Sequence, residues 1–333
     1  MQQYPYPQLK RPAFSWDRSA VIHEPRVNEW IRTLNSEDAE KVNWTVYDVA
    51  ILGVPLSRSS ISASTASENP DALRRAWKYF TTYNLDHDED LSGLNVVDLG
   101  DVRQHVTDIR VCHNNIREAM ISMQIHHPEL LPVVIGGDHS ITAMLVKGWK
   151  EVHINERIGI LQLDTHFDLR DLEDNGPSNG TPIRNLIESC TVKGEDVYNI
   201  GLHGFFNARS LKQYADEVGL NYTTMRIARK HGIETTIKEA LEKLSTKVDT
   251  IYVTVDMDVL DMSFGPGVPA STPGGMLSTE LFEAVYLAGK CSKVKVFDIV
   301  CVDPYKDHQE ITVKTAVHTM LSFLTGYKQR INR

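Results

Sequence analysis

Three short clusters in this 333-residue chain combine carboxylates and imidazoles at spacings suited to metal chemistry. Asp164-Thr165-His166-Phe167-Asp168 follows the apolar run IGILQL. Asp256-Met257-Asp258 follows DTIYVTV, with Asp261 shortly after, and Gly136-Gly137-Asp138-His139-Ser140 follows LPVVI. Side chains alternate along an extended chain. Asp164, His166 and Asp168 are therefore expected on one side, and so are Asp256 and Asp258. The glycines of the third cluster permit a tight turn that brings His139 to the same edge. Gathered together, these carboxylates cannot all stay ionised without a strong counter-charge. Asp164, Asp168, Asp256 and Asp258 carry four negative charges, which two divalent ions balance. Oxygen-rich ligands with two imidazoles and no thiolate suit Mn²⁺ better than structural Zn²⁺, with Ni²⁺, Co²⁺ and Fe²⁺ left open. Two ions roughly 3.5–4 Å apart can share a water and lower its pKa into the working range. Each cluster taken singly reads as well as a loop, a cap or a turn. Their occurrence together, each directly after an apolar run, points to a metal centre.

The elements that must position these clusters follow a regular rhythm. Short apolar runs at 47–53, 95–99, 131–135, 158–163, 196–202, 250–255 and 293–300 read as strands. Amphipathic stretches at 108–126, 141–153, 207–218, 234–243, 278–288 and 313–324 read as helices, and Asn69-Pro70-Asp71 supplies N-cap and N1 chemistry for another. Apolar strands alternating with helices imply βαβ units and a mostly parallel sheet covered on both faces. Ligands of such sheets bind beyond the C-terminal strand ends, where all three clusters fall. Residues 1–45 read as an extension packed on a single α/β domain spanning 46–333.

Composition narrows the function classes. Hydrophobic residues make up 41% of the chain, charged residues 24%, and the formal net charge is −9. An acidic surface argues against nucleic acid or anionic membrane as a partner. No run of about 18 apolar residues occurs, so no membrane span is expected, and the N-terminus lacks an apolar signal region. Cys112, Cys190, Cys291 and Cys301 form no paired motif, which excludes a zinc ribbon and makes a reducing cytoplasm the default location.

The clusters resemble the motifs of the ureohydrolase (arginase/agmatinase) superfamily: GGDHS, DAHxD and SxDxDxxDPxxAPG, in this order. Here they read GGDHS (136–140), DTHFD (164–168) and TVDMDVLDMSFGPG (254–267). The resemblance implies a three-layer α/β/α domain and two Mn²⁺ per subunit. His139, Asp164, Asp168 and Asp256 would hold one ion, and Asp164, His166, Asp256 and Asp258 the other. Asp164 and Asp256 would bridge, and Asp168 would also move a proton. A homo-oligomer, trimer or hexamer, is implied as well.

Within the superfamily, arginases and agmatinases carry a His after the second motif. No His lies between His166 and His203 here. LRDLEDNGPSNGTPIRNLIE (169–188), PLSRSSISAS (55–64) and Asn207 are instead similar to the formimidoylglutamase branch. That branch implies N-formimino-L-glutamate plus water giving L-glutamate and formamide, a small-molecule reaction of histidine degradation. Arg170 and Arg184 are candidates for the substrate carboxylates through charge-assisted bonds. For Arg184 a surface salt bridge is an equal reading. Asn179 and Thr181 are candidate contacts or turn formers.

One landmark departs from the pattern. Where the family has DIxEV followed by a polar residue and Pro, this chain has Asp298-Ile299-Val300-Cys301-Val302-Asp303-Pro304. Cys301 stands at the substrate-facing Glu, and a neutral thiol cannot balance a cationic amidine as a carboxylate does. Either Asp303 or another carboxylate takes that role, or the substrate differs. Two other functions therefore stay open: a guanidine-type ureohydrolase releasing urea, and a catalytically weak regulatory or assembly paralogue.

Overall fold

A computed structural model of the chain describes residues 8–10, 24–34 and 43–331. Its centre is eight parallel strands: β1 (Val49–Gly53), β2 (Val96–Val102), β3 (Leu131–Ile135), β4 (Ile158–Leu163), β5 (Val197–Ile200), β6 (Asn221–Thr223), β7 (Thr250–Asp256) and β8 (Val294–Val300). Their spatial order is β2-β1-β3-β8-β7-β4-β5-β6. Buried residues divide by parity into two cores. Ile51, Val133, Leu161, Val253 and Ile299 face one; Ala50, Leu52, Val134, Ile160 and Val300 face the other. A sheet apolar on both faces must be covered on both, which makes the three layers expected from the sequence.

The helices that cover the sheet include α1 (Asn69–Ala76), α2 (Ile109–His126), α3 (Ser140–Val152), α4 (Pro182–Glu188), α5 (Arg209–Glu217), α6 (Ile233–Ser245), α7 (Ser278–Lys290) and α8 (Ile311–Ile331). Helices α1, α6, α7 and α8 bury residues in the first core; α2, α3, α4 and α5 do so in the second. The α1 start differs from its sequence reading. Asn69 is the first helical residue and Glu68 precedes it as the cap position. The Asn69 amide instead donates to the Gly136 carbonyl at 2.7 Å, so a helix start braces the GGDHS turn.

Of the 1–45 extension, only parts lie among the described residues. Leu9–Lys10 pairs antiparallel with the end of β2, and Arg32–Thr33 runs parallel to its start. Val27, Ile31 and Leu34 are buried in the two cores.

Candidate metal centre and cleft

Strands β3, β8, β7 and β4 are consecutive in the sheet, and each ends in a polar cluster. Register sets those ends level: Ile135 lies opposite Ile299, Asp256 opposite Val300, and Val255 opposite Leu163. Residues far apart in sequence thus meet along one edge.

The same local device turns the chain at three of these ends. An aspartate oxygen accepts the backbone N–H two residues on: Asp138 from Ser140 at 3.0 Å, Asp164 from His166 at 2.6 Å, and Asp256 from Asp258 at 2.9 Å. Such Asx turns compete with strand extension. This corrects the period-two expectation. Strand β4 stops at Leu163, Asp168 has a left-handed φ of +56°, and Asp258 sits in a 3₁₀ turn, Met257–Val259. The side chains converge because the chain bends, not because it stays extended. Gly137 meets the structural need assigned to it: a Cβ there would lie 1.7 Å from the Leu56 carbonyl oxygen. That same carbonyl accepts the Asp138 N–H at 2.7 Å.

At the deep end, His139 is fully buried. Its Nδ1 lies 2.8 Å from Asp168 Oδ2 and 3.2 Å from Asp164 Oδ2 and Asp256 Oδ2. Despite that proximity, no partner among the described residues has hydrogen-bond geometry to Nδ1. The other ring nitrogen is taken by the Thr254 hydroxyl at 2.9 Å. A ring held from behind, with a bare nitrogen facing three carboxylate oxygens, has the form of a metal ligand. At the outer end, His166 Nδ1 lies 3.0 Å from Asp258 Oδ2 and 3.6 Å from Asp164 Oδ1. His139, Asp164 and Asp256 offer one set of ligand atoms within 4.8 Å of one another, and Asp164, His166 and Asp258 another. Asp164 belongs to both. The donor chemistry and the orphaned nitrogen fit a pair of divalent cations.

The carboxylates and imidazoles of this edge shift one another's proton affinities. Burial alone would push the His139 imidazole down, but Asp168, Asp164 and Asp256 outweigh it and hold it well above its ordinary value. Burial likewise opposes charge on His166, and Asp258 and Asp164 push it up to about 12. The two imidazoliums, against the effect of burial, hold Asp164 below the ordinary carboxylate range. Burial and then the Asp164 charge raise Asp168, while burial and then Asp256 raise Asp258.

The cleft above is lined by His166, Asp168, Asp256 and Asp258 below and by Ile61, Arg170, Asn179, Phe206 and Asn207 at its sides. Arg170 is exposed and has no acidic partner among the described residues. Asn179 joins two loops, accepting the Ile61 N–H at 2.8 Å. Asn207 braces the DTHFD bend, accepting from the Phe167 N–H at 3.0 Å and donating to the Thr165 carbonyl at 2.8 Å.

Three candidate substrate residues lie elsewhere. Thr181 is buried, and its hydroxyl closes its own loop on Gly176 and Ser178. Arg184 pairs with Glu188 at 2.6 Å and lies over the Tyr214 ring. Cys301 is 2% exposed at the end of β8 with a left-handed φ of +66°. Burial, then the nearby Asp256 and Asp258 charges, push its thiol well up. Asp303 does not stand in for the missing Glu. Its carboxylate accepts from the Thr65 hydroxyl and N–H and from the Tyr305 and Lys306 N–H groups.

Gln162, Thr254 and Asp298 escaped the sequence reading. All three are fully buried polar side chains. The available signal was a polar residue inside an apolar strand run, such as Gln in IGILQL. Asp298 accepts from Thr142 at 2.7 Å and from Tyr252 at 2.6 Å, behind Thr254.

A mostly parallel sheet covered on both faces, with this acidic edge at its C-terminal strand ends, is a three-layer α/β scaffold for a metal pair. The chain belongs to the arginase family, whose model matches residues 47–326. It is 43% identical to formimidoylglutamase of Halalkalibacterium halodurans over 276 residues, covering 83% of this chain and 86% of that one. It is 36% identical to formimidoylglutamase of Bacillus subtilis over 328 residues, covering 98% of each. The crystal structure of the B. subtilis protein superimposes with a TM-score of 0.86 over 97% of both chains. The structure of Trypanosoma cruzi formiminoglutamase with Mn²⁺ shares the fold, at 22% identity and a TM-score of 0.82, over 92% of this chain and 99% of that one.

Proposed function

We propose that this chain is a binuclear Mn²⁺ hydrolase that converts N-formimino-L-glutamate and water to L-glutamate and formamide. The observation that carries the reading is an edge of four carboxylates and two imidazoles, opening into a cleft beside an arginine with no acidic partner among the described residues. Formimidoylglutamases that match 83% and 98% of this chain support the choice of substrate. One ion would be held by His139, Asp164, Asp168 and Asp256, and the other by Asp164, His166, Asp256 and Asp258. When bound, the two ions supply the charge that balances the carboxylates and the Lewis acidity that makes water nucleophilic at neutral pH.

The chain's own groups do the rest. Arg170 grips a substrate carboxylate by a charge-assisted bond, with Asn179 beside it, and so aims the formimino carbon at the cleft floor. Asp168, whose proton affinity is raised by burial, takes the proton of the attacking water. It returns it to the glutamate nitrogen as the C–N bond to that nitrogen breaks. Asn207 holds the bend that carries Asp168. Cys301, buried beneath the cleft and not among its lining residues, packs near Asp256 rather than touching substrate.

An agmatinase-like reading is weaker, because Arg170 would face the distal ammonium of agmatine; a guanidino acid keeps the carboxylate that Arg170 grips, and its product separates it from the first reading. The paralogue reading rests on Cys301 alone. Mn²⁺-loaded protein given N-formimino-L-glutamate should release glutamate and formamide in equal amounts. Release of urea from a guanidine, with no formamide, would replace this reading by the second. Turnover of neither, with Mn²⁺ bound, would leave the third. The same reading has residues 1–45 as an extension packed on the 46–333 domain, and a homo-oligomer working in the cytoplasm. Its support is the family resemblance and four free cysteines, and light scattering tests the assembly.

A further inference from the structure

Strands β4 and β5 lie side by side in the sheet, with Gln162 directly opposite Asn199. Both side chains are fully buried. The other residues of the two strands are apolar or Gly, apart from Tyr198. Burying an amide pair there costs desolvation that two aliphatic residues would avoid, so the pair calls for a reason beyond packing.

Its hydrogen bonds give one. Gln162 Nε2 lies 2.7 Å from Asp164 Oδ2 and 3.3 Å from Asp168 Oδ2. Carboxylate oxygens accept, so the nitrogen end of this amide must face them. Asn199 enforces that orientation: its Nδ2 donates to Gln162 Oε1 at 3.0 Å and to the His166 carbonyl at 2.7 Å. The Asp164 carboxylate is consequently pinned at both oxygens, Oδ1 by the His166 N–H at 2.6 Å and Oδ2 by Gln162. Asp164 belongs to both groups of converging ligand atoms among the described residues, and with Asp256 it is one of the two carboxylates that the proposed centre shares. Asp168, on its left-handed backbone, is reached by the same amide nitrogen.

We propose that Gln162, oriented by Asn199, is a positioning residue that fixes the shared carboxylate Asp164 and its neighbour Asp168 for binding of the metal pair. This rests on the metal-centre reading above and not on the choice of substrate. Without the amide, Asp164 can rotate about its last torsion, and its two oxygens no longer face the two ion positions together. Loss of such outer contacts typically weakens metal binding about 10–100-fold.

The test is Mn²⁺ titration of metal-free protein, followed calorimetrically and by the Mn²⁺ paramagnetic signal, with no substrate present. Gln162→Met keeps volume and removes the donor; it should weaken Mn²⁺ binding about 10–100-fold and decouple the spin-coupled pair signal. Asn199→Leu keeps Gln162 but frees its amide, and should give a smaller loss in the same direction. The double variant should bind no more weakly than Gln162→Met alone, because the two residues act in series. With saturating Mn²⁺, kcat should fall while KM holds, since the substrate is gripped elsewhere. A folded Gln162→Met that binds Mn²⁺ like wild type, or losses that simply add in the double variant, overturns the proposal. If Gln162→Met does not fold, Asn199→Leu decides by the same titration. Wild-type protein that binds no Mn²⁺ pair would sink the metal-centre reading itself, a different outcome from wild-type binding with unchanged variants.

Discussion

The floor of the cleft and its side wall differ in how their residues are held. In the floor, His139, Asp164, Asp256 and Asp258 are at most 4% exposed. They stand on the ends of consecutive strands and are fixed by Thr254, Gln162 and backbone N–H groups. In the wall, Arg170 and Phe206 are exposed and borne on loops, and the loops are tied together by Asn179 and Asn207. A charged floor needs rigid, dehydrated placement, because carboxylates crowded in low dielectric are tolerated only in one arrangement around a counter-charge. The wall needs only reach and charge. On the proposed function, reaction chemistry belongs to the sheet and substrate choice to the loops.

Breaking the floor should have the largest effect. Asp164→Asn removes the ligand shared by both sets and should lower Mn²⁺ affinity by more than the ~10–100-fold of an outer-contact loss, with turnover falling in parallel; metal titration and a formamide assay check it. Arg170→Ala should act on the wall alone. A lost charge-assisted bond of about 1.5–3 kcal/mol should appear as a rise in KM with Mn²⁺ binding unchanged. An equal fall in Mn²⁺ affinity would erase the distinction between floor and wall.

His113 joins the two regions from behind. Its Nε2 lies 3.0 Å from the Ser140 hydroxyl and 3.3 Å from that of Ser59. Burial, with Lys147 nearby, depresses its pKa from 6.5 to about 4. A depressed folded value means the unfolded chain binds the extra proton, so stability is full above pH 6.5 and declines as pH falls toward 4. The slope contributed is at most about 1.4 kcal/mol per pH unit. Urea unfolding at pH 7, 6 and 5 should show that slope in wild type and a shallower one in His113→Gln.

Asn207→Ala should cost about 1 kcal/mol for each lost hydrogen bond and lower kcat more than Mn²⁺ affinity, because it loosens the bend rather than the ligands. The smallest effect is expected at Arg184. Its exposed pair with Glu188 contributes about 0–1 kcal/mol, and Arg184→Ala should leave KM for N-formimino-L-glutamate unaltered. A large rise in KM would return Arg184 to the substrate site.

Much of this was legible in the sequence, for reasons visible at single positions. Strands β3 and β4 have the bounds their apolar runs predict, because a strand buried on both faces admits almost nothing polar. Strand β6 was missed: Asn221–Thr223 is short, edge-bound and polar enough to read as loop. Helix α4 was hidden behind its opening proline, which also reads as a turn. The convergence of Asp164, His166 and Asp168 was foreseen with the wrong cause, since periodicity describes strands and cannot report a side chain that hydrogen-bonds its own backbone. Asn69 was misread for a similar reason: a cap residue by type, it serves a turn far away in sequence.

The sequence by itself determined which residue types could make a metal centre and that each follows a buried strand. Those are local properties, set by side-chain chemistry and hydrophobic patterning. Only the tertiary structure decided that β3, β8, β7 and β4 are neighbours and that Gln162 and Thr254 face the acidic edge. The same holds for Cys301 lying against Asp256, and for Arg170 reaching the cleft while Arg184 turns away to Glu188. Strand order and loop direction depend on long-range packing of two cores against one sheet, and no short window of sequence encodes that.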